Sequence, residues 1–262
     1  MKEQEKFLKR FNNFVDSYEN GEDIKGIEAI ELKRQHRKRV LDASKYMAKT
    51  MNLPEEDETI AEIIAILHDI GRFEQWKKNR SYVDTERIQH AYLGAQMLQK
   101  GWIRYFIPET REYDEIIIKA VKLHRELHLP HELTERERFF CNLIRDADRI
   151  DIFYQCTRNK DFDILFEIKE EVEERSLSNA VKLALLKNES ISFKEVRNRL
   201  DLIGLRISLL SQFTFKSGID YIKEKGYVEK MINLFENNLP QFKGEDLEWL
   251  KKYASKAFQS KN

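Results

Sequence analysis

Residues 60–75 read I-A-E-I-I-A-I-L-H-D-I-G-R-F-E-Q, and the fold turns on how this stretch is read. Ile60, Ile63, Ile64 and Leu67 recur at helical spacing, and His68 falls four residues after Ile64 on the same apolar stripe. An apolar helix therefore runs directly into His68-Asp69, with Gly71 expected to stop it. Two polar side chains on a buried stripe are costly unless they are partnered, so the rest of the chain must supply their partners.

Working outward, only nine glycines and four prolines punctuate the sequence, and helical periodicity dominates. Residues 3 to 19 form an amphipathic helix with Phe7, Phe11, Phe14 and Val15 on one face. A longer helix spans 27 to 51 and ends at Asn52-Leu53-Pro54, and Glu55 to Asp69 forms the third. Lys77 to Val83 is expected as a polar loop, with Asp84 as N-cap of a helix running to Lys100 and Gly101 as its terminator. Another helix covers 112 to 127. Thr134 and Glu137 have capping-box spacing and open a helix through Arg149, while Ser192 and Glu195 repeat that spacing before a helix toward Phe213. Shorter helices follow near 217 to 237 and 245 to 257. The fold class is all-α. An N-terminal helix (1–26) is expected to pack on a ligand-bearing helical domain (27–160), with a C-terminal helical extension (161–262) of the same globule.

Five helices of the first 150 residues carry a potential metal ligand on the apolar face. His36 shares a stripe with Val40, Ala43 and Met47, and His90 with Leu93, Gly94 and Met97. His124 follows Ile117, Ala120 and Val121, and Asp148 lies between Ile144 and Ile152. With His68 and Asp69, four of the six histidines and two carboxylates point inward. This donor set suits one or two divalent transition-metal ions, iron, manganese, cobalt, nickel or zinc, and Asp69 can bridge a pair. Asp146, two residues from Asp148, faces another way and is expected in a supporting place or exposed. His128, four residues after His124, is a reserve ligand, and it and His131 are expected in a loop around Pro130. Lys77, Lys78 and Arg80 are expected as a solvated basic loop able to steer an anion.

Lysine plus arginine and aspartate plus glutamate both number 46, giving zero formal net charge. That balance argues against bulk nucleic acid as a partner. Cys141 and Cys156 show no disulfide or metal spacing. The N-terminus lacks the apolar core of a signal peptide, and no apolar run is long enough to span a bilayer. A soluble, cytoplasmic protein without membrane partners is expected, and an oligomer is compatible with the sequence.

His36, then His68-Asp69, then Asp148 resembles the H…HD…D signature of the HD superfamily of metal-dependent phosphohydrolases. The local strings Q-H-R-K-R-V (35–40), L-H-D-I-G-R-F-E (67–74) and R-D-A-D-R-I-D (145–151) carry the likeness. The resemblance implies an all-α fold in which His36, His68, Asp69 and Asp148 hold a first ion. His90 and His124 stand where the binuclear branches add two histidines, which implies a second ion and a bridging Asp69. It further implies that a metal-bound hydroxide attacks phosphorus in a nucleotide or other small phosphate ester. Arg72, three residues past Asp69, is positioned to assist. Two other readings use the same residues: a di-iron oxygenase, as in HD-fold relatives such as myo-inositol oxygenase, and a non-catalytic metal-containing sensor or interaction module.

Overall fold

The structure, a computed structural model, describes residues 3–161, 175–189 and 191–259. Among these residues there is no strand, in line with the all-α reading. Part of the expected C-terminal extension, residues 162–174, lies outside the described residues. Two compact units divide inside one helix, residues 1–147 and 148–262.

In the first unit, α1 (Glu3–Glu19) buries Phe7, Phe11, Phe14 and Val15. Phe11 and Phe14 meet Phe73 and Phe106 edge-on or tilted, with ring centroids 5.5 to 6.3 Å apart. Burying such rings contributes roughly 2–3 kcal/mol each. Helix α2 (Ile24–Thr50) starts at Asp23, whose carboxylate accepts the Gly26 N–H at 2.8 Å. It packs along α3 (Glu55–Leu67). Glu55, Glu56, Asp57 and Glu58 fill the first turn of α3, where acidic groups offset the positive end of the helix dipole.

The chain departs from the sequence reading after Asp69. Gly71 does not end the helical path. It opens α4 (Gly71–Asn79), so Lys77 and Lys78 are helical and the loop begins at Arg80. A Cβ on Gly71 would lie 2.1 Å from the His90 carbonyl oxygen and 2.6 Å from the Gly94 nitrogen. The glycine is required by the close approach of α5 (His90–Met97). That helix starts five residues later than expected, with Gln89 as its N-cap: Asp84 accepts the His90 N–H at 3.1 Å from within the loop. Gly101, at φ +118, turns the chain from a π turn (Leu98–Trp102) into α6 (Ile103–Phe106) rather than terminating it.

Helix α7 (Asp114–Leu123) packs on α3 and α5. The Thr134/Glu137 capping box is formed, each side chain accepting the other's backbone N–H, and opens α8 (Glu135–Gln155).

The second unit contains α9 (Asn179–Lys187), α10 (Arg199–Ser208), α11 (Lys216–Lys225), α12 (Tyr227–Asn238) and α13 (Glu245–Gln259). The Ser192/Glu195 capping box forms, but it closes a single 3-10 turn. The expected helix waits for Asn198, whose side chain accepts the Leu200 and Asp201 N–H groups. Leu200, Ile203, Ile207, Leu210 and Phe213 are buried, as core spacing requires. Among the described residues, no helix is long and apolar enough to cross a membrane.

Candidate metal centre

Two groups of buried donors assemble in the first unit: His36, His68 and Asp69, and Asp69, His90 and His124. They come from the middle of α2, the turn after α3, the first residue of α5 and the C-terminal end of α7. His68 and His124 each stand at a helix C-terminus and reach back three residues, so that Nδ1 donates to the carbonyl of Ala65 at 2.9 Å and of Val121 at 2.7 Å. A helix end leaves such carbonyls without intrahelical partners. One contact thus satisfies the backbone and fixes the ring. His90 is fixed otherwise: its Nδ1 lies 2.9 Å from both oxygens of Asp84.

A carbonyl or an ionised carboxylate only accepts, so Nδ1 carries the proton in these three rings. Their Nε2 lone pairs are left facing inward. The Nε2 atoms of His90 and His124 are 3.1 Å apart, and those of His36 and His68 are also 3.1 Å apart. Asp69 Oδ1 lies 3.1 Å from His90 Nε2 and 3.8 Å from His124 Nε2, while Oδ2 lies 3.4 Å from His36 Nε2. Lone pairs converging this closely repel unless a cation lies among them. A proton on one ring joins two donors, whereas three donors call for an ion with several coordination places. Ligand–metal distances of about 2.0–2.2 Å put neighbouring donors roughly 2.9–3.4 Å apart, which the pairs at 3.1 and 3.4 Å match. The donor set fits divalent metal, and the two carboxylate oxygens of Asp69 divide, Oδ2 facing His36 and Oδ1 facing His90 and His124.

Burial by itself would raise the Asp69 pKa. The charge of the adjacent Lys33 outweighs it and holds the carboxyl well below the usual range. Partial burial acts the same way on Asp84. Hydrogen bonds from the His90 ring and backbone, with the charge of Arg72, overcome it and bring the pKa to about 2. Asp84 also pairs with Arg125. Sequence reasoning gave Asp84 only a capping role and did not single out Lys33, whose Nζ lies 2.9 Å from Asp69 Oδ2. Both contacts span loops or separate helices, so no local spacing announces them.

Arg72 is largely enclosed. Its Nη1 donates to the Tyr82 carbonyl at 2.5 Å and to Gln75 Oε1 at 2.9 Å, and its Nε lies 3.5 Å from Asp69 Oδ1. The neighbouring basic residues have partners of their own. Lys78 pairs with Glu74, Lys77 lies over the Tyr18 ring, and Arg80 pairs with Glu22 and Asp23. His128 and His131 are exposed. Asp148 is half-buried on α8, whereas Asp146 is fully buried, so an exposed place for Asp146 is excluded. Asp151 is also buried and accepts from Gln155 at 2.8 Å.

A family model described as HD domain matches residues 34–152. That span runs from just before His36 to just after Asp148, taking in every ligand position of the motif. That stretch, a little under half of the chain, is similar to an HD domain. Searches of curated proteins and of solved structures find no match.

Proposed function

We propose that the protein is a metal-dependent phosphohydrolase acting on a nucleotide or another small phosphate ester. The observation that carries this reading is the division of Asp69, with Oδ2 toward His36 and Oδ1 toward His90 and His124. His36, His68 and Asp69 would hold one divalent ion and Asp69, His90 and His124 a second, with Asp148 assigned to the first on the sequence motif alone. Divalent ions in such a site supply activation of water near neutral pH and neutralisation of phosphoryl charge.

The chain's own groups orient the rest. His68, His90 and His124 are locked in the tautomer that presents Nε2. Asp69 stays anionic because Lys33 lies beside it. Arg72, with Nε near Asp69 and Nη1 held by the Tyr82 carbonyl, is the residue we assign to stabilise charge on the phosphoryl group. Two cations beside the shared carboxylate favour an anionic substrate over the neutral organic substrate of an oxygenase.

The test is phosphate release from a panel of nucleotides and sugar phosphates by metal-reconstituted protein. Asp69→Asn is expected to abolish it. Iron-dependent oxygen uptake without phosphate release would overturn the reading in favour of the oxygenase.

A further inference from the structure

The contacts of Tyr82 define an arrangement that the metal ligands do not account for. Its hydroxyl donates to the Ala29 carbonyl at 2.8 Å, which ties the ring to α2. Burial, reinforced by the negative charge of Asp69, raises its pKa and keeps that proton in place. Lys33 Nζ lies 5.2 Å from the ring centroid and the Arg72 guanidinium carbon 6.0 Å from it, both within cation–π range. The same two cations approach opposite oxygens of Asp69, Lys33 at 2.9 Å from Oδ2 and Arg72 at 3.5 Å from Oδ1. Both side chains retain a little exposure, 15% and 13%. One aromatic ring thus holds two cations against the carboxylate that belongs to both donor groups.

Asp69 Oδ2 is also the oxygen nearest His36, the one an ion in the first donor group would take. An ammonium and a divalent ion at one carboxylate oxygen repel each other, and an anion placed beside both relieves that repulsion. We infer that Lys33 and Arg72, held on Tyr82, form an anion clamp that seats the terminal phosphate of the substrate. Two cationic groups match a phosphate monoester or terminal phosphoanhydride, which carries close to two negative charges at neutral pH. A diester, with one charge, is matched less well. Arginine supplies planar, directed donors, and lysine a compact charge that can move from Asp69 to the phosphate. This inference rests on the metal-site reading and names the substrate class within it.

The experiment uses full-length protein carrying its own metal, with metal per chain fixed by elemental analysis. Orthophosphate, methyl phosphate and dimethyl phosphate are titrated calorimetrically. Losing one charge-assisted hydrogen bond corresponds to about a tenfold or greater fall in affinity. Lys33→Met is expected to keep the metal content and weaken orthophosphate and methyl phosphate binding by about tenfold or more, and Lys33→Arg to restore most of it. If Lys33→Met fails to fold, Tyr82→Leu carries the same test by removing the platform under both cations. Unchanged orthophosphate affinity at unchanged metal content would overturn the clamp, as would dimethyl phosphate binding as tightly as methyl phosphate. If the expected losses occur in a protein that cleaves no phosphate ester, the clamp stands and only the hydrolase reading falls.

Discussion

Gly71→Ala is the perturbation that most directly tests how the two halves of the centre are joined. The added Cβ would meet the His90 carbonyl oxygen at 2.1 Å and the Gly94 nitrogen at 2.6 Å, where real Cβ contacts do not fall below 3.0 Å. Both obstacles are backbone, so no side chain can swing aside. The start of α5 must retreat from the α3–α4 turn by about 1 Å, the gap between the first contact and that limit. His90 leads α5 and Asp69 belongs to the turn, with Nε2 and Oδ1 now 3.1 Å apart. Metal ligands tolerate displacements of only about 0.2 Å. The first donor group, His36, His68 and Asp69, does not include α5. Gly71→Ala should therefore keep one ion and bind the second roughly 10–100-fold more weakly, as when ligand support is lost. Overpacking should also cost about 1–3 kcal/mol of stability. Elemental analysis at buffered metal concentrations, with circular dichroism to verify helicity, reads both effects. Two ions held at parental affinity by a folded Gly71→Ala protein would refute the reasoning.

His90→Ala is expected to reduce the metal content from about two ions to about one, measured per chain by elemental analysis. Asp84→Asn removes the carboxylate that orients His90 and should weaken the second ion by about 10–100-fold while leaving the first in place, which metal titration separates. The same substitution has a pH signature. Asp84 has its folded pKa lowered from 3.8 to about 2. Its contribution to stability is therefore complete above the unfolded value and is lost as pH falls through the folded one. The stability difference between parent and Asp84→Asn, from urea unfolding, should be present at pH 5 and shrink as pH falls from about 4 toward 2; a difference that grows on acidification would contradict the assignment. Chelation should lower the thermal midpoint, and re-addition of divalent metal should restore it, because an ion bound only by the folded state stabilises that state.

Several parts of the fold were legible because their causes are local. The apolar faces of α1 and α3 follow from the spacing of Phe7, Phe11, Phe14, Ile60 and Ile64, all buried as that spacing requires. The Thr134/Glu137 box worked because both of its hydrogen bonds close within four residues. Local reading failed where a distant segment set the conformation. Gly71 has the composition of a helix stop, yet it is there because α5 crosses it. Asp84 has the composition of an N-cap, yet the His90 ring holds it in the loop. Ser192 and Glu195 do form a capping box, but only a 3-10 turn follows before the chain restarts at Asn198.

Local periodicity suffices for the all-α class and for the inward direction of His36, His68, Asp69, His90 and His124. Helical periodicity is a property of neighbouring residues, and ligand residues on apolar stripes must be buried with the core. Tertiary packing alone turns Oδ2 of Asp69 toward His36 and Oδ1 toward His90 and His124. It also decided that Asp84 supports His90, and that Lys33 and Arg72 meet Asp69 over Tyr82. Those relations join residues from separate helices and loops, and their distances exist only once α2, the α3–α4 turn, α5 and α7 have packed.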